Sequence, residues 1–192
     1  DPSSDADNAE NTGMSEDEIK ADEIKKAKEK ADIDYKRDML VQLKLIANDY
    51  DLETDVSRGS FAVYMANLIS YNKDYSTEKG YFDFNDVKDD SEFYSAVSML
   101  VNKGAVIGIG EGLYAPNDSI TVNQACAIAV RLMGYDIEKL PNDENDVYYY
   151  NKASEIKLLA GIKASRTEAL SGADAVTFLY NMLDTNVYEM VV

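Results

Sequence analysis

Three segments of the sequence align with one another without a gap. They begin at Ser57, Thr121 and Ser171 and read SRGSFAVYM, TVNQACAIA and SGADAVTFL. Each opens with a hydroxyl residue, a preferred type at a helix N-cap because its side-chain oxygen accepts a free backbone N–H. Self-similarity in one register is typical of repeat proteins, in which a single unit buries too little surface to fold alone. The sequence therefore predicts three copies of one unit.

The residues after each hydroxyl place their apolar side chains on one face of a helix. Counted from the hydroxyl residue, apolar side chains recur at positions 4, 7, 8, 11 and 12 in all three copies. This is the 3.6-residue period of an amphipathic helix. A shorter helical pattern precedes each copy, over 39–47, 94–103 and 150–160, and Gly104 and Gly161 follow the last two. Since glycine commonly ends helices, each unit is predicted to be helix, connection, helix.

We predict an all-α fold of three helix-loop-helix repeats that share one core, with short β or loop elements. The repeats are expected at about 35–80, 81–136 and 137–186, between an acidic leader at 1–34 and a tail at 187–192 that has the pattern of a strand beginning. The first dozen residues of the leader are expected to be disordered. A solvated helix is predicted from Ser15, where Ser15 and Glu18 make a capping box. We interpret it as a spacer, with a weak coiled-coil strand as the alternative.

Composition excludes several classes of protein. The chain has 36 acidic and 19 basic residues, a formal net charge of −17, which argues against nucleic-acid binding. It has no histidine, so most zinc sites and the Ser–His and Cys–His nucleophile pairs are absent. The single cysteine, Cys126, lies in an apolar run and is predicted to be a buried, inert thiol. We therefore predict no enzyme activity, no cofactor, no metal site and no transmembrane segment.

One stretch of the chain resembles a known repeat. From Phe84 to Tyr135 the sequence reads FNDV, then YSAVSMLVNKG, then GIGEGLYAPNDSIT, and then a helix that ends LMGY. This run resembles one S-layer homology repeat almost end to end, and the regions 36–72 and 145–185 resemble degenerate first and third repeats. The resemblance implies a pseudo-threefold helical bundle that holds an acidic secondary cell-wall polysaccharide in grooves between repeats. It also implies an extracellular protein of the cell wall or cell surface.

The resemblance also implies site residues. The family signature Thr-Arg-Ala-Glu opens the second helix of each repeat, and its Arg is the residue free to meet an anionic sugar substituent. The hydroxyl is kept as Ser57, Thr121 and Ser171, which we predict to be structural caps, but the Arg position reads Arg58, Val122 and Gly172. Arg58 is therefore the best candidate for a ligand-binding cation.

Further ligand contacts are implied for Asp86 and for the backbone around three glycines, Gly108, Gly110 and Gly112. The residues themselves leave alternatives open. Arg58 could be a surface side chain paired with Asp55 or Glu53, and Asp86 could be a cap or turn residue. The glycine-rich connection at 105–119 is also predicted to form a short hairpin or a glycine-turned loop.

Two functions follow from this reading. The first is a non-catalytic attachment module of an exported bacterial protein, bound to a wall polysaccharide through grooves between repeats. The alternative is a structural or assembly subunit of a surface layer, because the chain keeps the scaffold residues and loses two of three Arg positions. The net charge of −17 favours protein partners over an acidic polymer.

Overall fold

The described part of the chain is helical. The structure is a computed structural model that describes residues 15–71, 73–80, 82–135 and 147–185. Its helices are α1 (Glu16–Gln42), α2 (Arg58–Ser70), α3 (Tyr94–Asn102), α4 (Val122–Leu132), α5 (Val147–Glu155) and α6 (Gly172–Asp184). Within these ranges the only strand-like pairings are isolated β-bridges, so the predicted all-α class is confirmed. None of the described helices is long and apolar enough to cross a bilayer.

Three sequence predictions lie outside the described residues. They are the disordered start of the leader, the strand-like tail at 187–192, and the first ten residues of the third predicted repeat, 137–146. Below, unit 1 means α1 and α2, unit 2 means α3 and α4, and unit 3 means α5 and α6.

The three aligned hydroxyl residues are helix caps, as predicted. Each side-chain oxygen accepts the backbone N–H three residues later: Ser57 from Ser60 (3.0 Å), Thr121 from Gln124 (3.3 Å) and Ser171 from Asp174 (3.2 Å). Gln124 returns a bond to the amide of Thr121, which completes the capping box in unit 2. The apolar stripes that follow form the centre of the core, where Phe61 and Phe178 are fully buried and meet edge to face at 5.9 Å.

A closed ring of backbone hydrogen bonds joins the three units immediately before these caps. The amide of Val56 donates to the carbonyl of Leu170 (2.9 Å), Leu170 donates to Ile120 (2.8 Å), and Ile120 donates to Val56 (2.9 Å). All three side chains are buried. Because each unit donates to one neighbour and accepts from the other, the described units are arranged with approximate threefold symmetry.

The first two backbone amides of α2, α4 and α6 also donate hydrogen bonds to a neighbouring unit. Helices leave their first N–H groups without an intrahelical partner, and buried N–H groups need one. The first amides, of Arg58, Val122 and Gly172, donate to the carbonyls of Asp118, Glu168 and Thr54, and the second amides donate to Pro116, Arg166 and Leu52. These three N-termini are therefore sealed by the loop of the neighbouring unit and offer few free N–H groups to a ligand.

The helices pack in the same cyclic order. The second helix of each unit packs against the first helix of the next, so that α2 contacts α3, α4 contacts α5, and α6 contacts α1. The predicted boundary between residues 34 and 35 falls inside α1, which runs unbroken from Glu16 to Gln42. The capping box of Ser15 and Glu18 is present, as predicted. The helix interpreted as a spacer is thus continuous with the helix that closes the ring.

Two first helices end earlier than predicted. α1 stops at Gln42 instead of residue 47, and α5 stops at Glu155 instead of residue 160. After each of these two helices the backbone turns at a lysine with a positive φ, Lys44 or Lys157. These lysines take the position that Gly104 has after α3. The residue after each turn, Leu45, Ala105 or Leu158, is buried and donates its amide five residues back. Burial of that residue ends the helix, although lysine disfavours a positive φ.

Candidate functional site

A groove between units 1 and 2 contains three of the predicted ligand-binding residues. Its walls are the start of α2 at Arg58, the segment 105–110 with Gly108 and Gly110, and the outer face of α4. Its volume is about 470 Å³, and at its rim Ile107 and Ile109 are 71% and 50% exposed. We call it groove A. Neither Asp86 nor Gly112 is among the described residues that line it.

Arg58 is held by Tyr114 rather than by a carboxylate. Its residue surface is only 6% exposed. Its Nε donates to the carbonyl of Tyr114 at 2.8 Å, and its guanidinium lies over the Tyr114 ring, 4.8 Å from the centroid. In the described residues it forms no ion pair with Asp55 or Glu53, the partners expected for a surface arginine. Cation–π contact and one charge-assisted bond thus hold a largely desolvated cation in the wall of groove A.

The charge of Arg58 is incompletely compensated. Burial lowers the pKa of Arg58, while the nearby Tyr114, Asp118 and Asp86 raise it in part. An arginine stays charged in proteins, so the result is a buried positive charge with no bonded anion among the described residues. Such a charge attracts an anionic ligand more strongly than an exposed arginine would, because the local dielectric constant is low.

Asp86 supports Tyr114 from outside the groove. Its two carboxylate oxygens accept the amides of Tyr114 (2.9 Å) and Ala115 (2.7 Å), 28 and 29 residues along the chain. This is closer to the turn-residue alternative than to direct contact with a sugar. Asp174 holds a loop in the same manner in unit 3, where it accepts the amides of Lys163 and Ala164.

The three glycines have different positions. Gly108 has a φ of +77°, and a Cβ there would lie 2.6 Å from the ring of Phe84, so only glycine fits between that ring and the groove. Gly110 forms an isolated bridge with Leu113, which makes the predicted glycine-turned loop. Gly112 lies against Asn85, away from the groove lining.

Groove A has a second cation, which is not among the site residues predicted from the sequence. Arg131, on α4, lines the groove and is half-buried. Its Nη1 donates to the carbonyl of Ala105 (3.2 Å), its Nε donates to the hydroxyl of Tyr149 (3.1 Å), and its guanidinium lies 4.6 Å from the centre of that ring. The aligned repeats do carry a signal for it, since the tenth position after the cap is Asn67, Arg131 and Asn181.

The equivalent grooves have different charge. Groove B, between unit 3 and α1, encloses about 760 Å³ and is lined by equal numbers of basic and acidic residues, including Lys163, which pairs with Glu29 at 3.0 Å. Groove C, in unit 1, encloses about 330 Å³ and is lined by Asp49, Asp51 and Asp55 without any basic residue. Among these three described grooves, only groove A has cations and no carboxylate in its lining.

Packing explains why the Arg position is glycine in unit 3. A Cβ at Gly172 would overlap the carbonyl oxygen of Asp51 and approach the backbone of Leu52 at 2.9 Å. Eleven residues separate Leu45 from Ser57, the cap of α2, and among them residues 51 and 52 lie directly over the start of α6. No side chain fits there, so groove C has no counterpart of Arg58.

A comparison with protein families found a match in the region that contains α3 and one wall of groove A. Residues 83–121 match the family model of the S-layer homology domain. The match begins beside Asp86, includes α3 and the segment that walls groove A, and ends at the cap of α4. The comparison with curated proteins gave no match. S-layer homology domains are non-catalytic modules that attach proteins to cell-wall polymers in general. The similarity of residues 83–121 to the S-layer homology domain points to a protein of the cell surface or cell wall.

Proposed function

We propose that this chain is a non-catalytic module that attaches an exported bacterial protein to the cell envelope by binding an acidic secondary cell-wall polysaccharide in groove A. The observation that carries the proposal is the pair of guanidinium groups, Arg58 and Arg131, in a groove whose lining has no carboxylate.

Electrostatics restricts the places on this protein where an acidic polymer can bind. A chain with a net charge of −17 repels an acidic polymer over most of its surface. A polymer can approach only where positive charge is concentrated and locally unopposed. Groove A comes closest to this requirement, because its lining has two arginines and no carboxylate, although Asp86 and Asp118 lie near Arg58. Groove B has balanced charge and groove C has acidic residues only.

The shape of the groove suits a saccharide. An extended sugar chain presents alternating polar edges and apolar C–H faces. The exposed Ile107 and Ile109 at the rim supply apolar contact, and Gly108 brings backbone close to the groove. Guanidinium groups bind carboxylate or phosphate with two parallel hydrogen bonds, which adds orientation to the attraction.

The test is a binding assay with cell walls of the producing bacterium. We expect the whole chain to co-sediment saturably with walls that retain their acidic polymer and to remain in solution with walls from which that polymer has been removed. Arg58→Ala should abolish binding, and Arg37→Ala, which removes one equal charge from α1, should not. Circular dichroism checks that both variants are folded. Failure of the wild type to bind, or full binding by Arg58→Ala, would refute the proposal.

The exposed isoleucines favour a second candidate, an assembly subunit of a surface layer. Ile107 and Ile109 are exposed next to each other in a domain whose other two grooves have no excess of basic residues. In that case the chain should self-associate in analytical ultracentrifugation and show no retention on walls. Ile107→Ser combined with Ile109→Ser should then restore the monomer.

A further inference from the structure

Arg131 occupies a position that has a structural task in all three units. The side chains of Asn67, Arg131 and Asn181 each donate a hydrogen bond to a backbone carbonyl, at 3.1, 3.2 and 2.9 Å. The acceptors are Leu45, Ala105 and Leu158, which are the residues after the left-handed turn that ends each first helix. The bond therefore joins the two helices of a unit at an equivalent point in each of the three.

Asparagine is sufficient for that task. In units 1 and 3 the short amide reaches the carbonyl, and the helix ends have the same backbone bonding as in unit 2. An arginine in unit 2 keeps the bond and adds a charge, a longer side chain and further N–H donors. The structural bond alone does not explain the guanidinium.

The remaining donors of Arg131 are available to groove A. Its Nε bonds to Tyr149 and one Nη1 hydrogen bonds to Ala105, and the Tyr149 ring supports one face of the guanidinium. The other N–H groups have no hydrogen-bond partner among the residues that the structure describes. Tyr149 is only 5% exposed, so the ring that supports Arg131 belongs to the packed core. Arg131 thus resembles Arg58, which also lies over a buried tyrosine with its Nε bonded.

We propose that Arg131 is a second anion-binding residue of groove A, so that the preferred ligand is a saccharide with two anionic groups, one bound at Arg58 and one at Arg131. This inference rests on the proposed function of groove A and adds the charge of the ligand to it. The two guanidinium groups come from different units, α2 of unit 1 and α4 of unit 2, so the ligand also bridges the two units.

The experiment uses the whole chain and wall polysaccharide fragments that anion exchange has separated by charge. The variant is Arg131→Asn, because asparagine makes the same carbonyl bond in units 1 and 3. The control is Arg37→Asn, which makes the same change of residue type and charge on α1. Affinities are measured by isothermal titration calorimetry.

We expect Arg131→Asn to bind fragments with two anionic groups at least about tenfold more weakly than the wild type, the loss expected for one charge-assisted contact. It should bind fragments with one anionic group nearly as well as the wild type, and Arg37→Asn should match the wild type with both. Equal affinity of Arg131→Asn and wild type for the doubly charged fragments would overturn the role of Arg131 while leaving the proposed function intact. Absence of binding by the wild type would instead refute the proposed function.

A second measurement covers the case in which Arg131→Asn is poorly folded. The Nε–H resonance of Arg131 in the wild type is followed by NMR as the doubly charged fragment is added, with Arg37 as the reference. A shift at Arg131 that saturates with binding supports the inference, and an unchanged Arg131 resonance under saturating fragment overturns it.

Discussion

Arg58 and Tyr114 exchange hydrogen bonds in both directions across the junction of units 1 and 2. The Arg58 Nε donates to the Tyr114 carbonyl and the Tyr114 hydroxyl donates to the Arg58 carbonyl, each at 2.8 Å. Asp86 holds the same tyrosine by its amide. The candidate ligand-binding cation is therefore positioned by three elements that are distant in sequence, and part of its environment is repeated elsewhere in the ring.

Tyr50 provides the matched comparison. Its hydroxyl donates to the carbonyl of Gly172 at 3.1 Å, in the position in unit 1 that Tyr114 has in unit 2. Tyr114→Phe and Tyr50→Phe should each lower the free energy of unfolding by about 1 kcal/mol, the usual contribution of one buried hydrogen bond. Urea unfolding followed by circular dichroism measures this. Wall binding by both variants should stay close to that of the wild type, because phenylalanine keeps the ring and the backbone carbonyl that hold the Arg58 guanidinium; loss of binding by Tyr114→Phe would contradict this.

Gly172→Ala should destabilise the protein. Alanine in place of glycine in a helix ordinarily stabilises by up to about 1 kcal/mol. Here the new Cβ would overlap the Asp51 carbonyl, and such overpacking costs about 1–3 kcal/mol. We therefore expect a lower urea midpoint than the wild type, with α6 retained by circular dichroism. A raised midpoint would show that the loop over α6 moves aside without cost.

Removal of the N-terminal half of α1 should weaken the ring. A chain that begins at residue 35, the predicted domain boundary, loses the Ser15 cap, the partly buried Ile33 and the contact of Glu29 with Lys163. We expect the free energy of unfolding to fall by about 2 kcal/mol, mostly from the cap and from Ile33. The control is a chain that begins at residue 15, which keeps all of α1. Equal melting temperatures for the two chains would instead support a separable leader.

Cys126 should make the protein less stable as the pH rises into the alkaline range. Burial raises the pKa of its thiol to about 12, whereas an unfolded thiol titrates near about 8.5. Above about pH 8.5 the unfolded state releases a proton that the folded state keeps, so this contribution is complete below that pH and is lost as the pH rises towards 12. Between pH 8 and 10 the wild type should lose about 2 kcal/mol more stability than Cys126→Ala.

A thiol reagent gives an independent measurement of the same group. The thiolate is the reactive form, so native Cys126 should react very slowly with a disulfide reagent at pH 8 and at the ordinary rate in urea. Fast labelling of the native protein would show that the thiol is accessible and would contradict the burial of Cys126.

The elements that local chemistry specifies could be predicted from the sequence. The caps at Ser57, Thr121 and Ser171 depend on bonds that reach three residues along the chain. The apolar stripes and the glycine-turned loop are equally local. Arg58 became a candidate because the family signature puts an arginine directly after the cap, and only the first of the three copies keeps it. The ends of α1 and α5 were predicted too late in the chain. The turns after these helices are made by Lys44 and Lys157, and lysine gives no sequence signal for a positive φ.

Sequence alone thus determined that the chain folds as three capped, one-sided helical units and that one of them carries an arginine at its start. Only the tertiary structure decided that α1 closes the ring, that Asp86 supports Tyr114, and that Arg131 shares a groove with Arg58. The reason is range: caps and periodicity act within a turn or two of helix, whereas the ring joins Val56 to Ile120 and Leu170. The charge of a groove depends on side chains from different units, such as Arg58 and Arg131 in groove A. Which side chains come together depends on how the three units pack against one another.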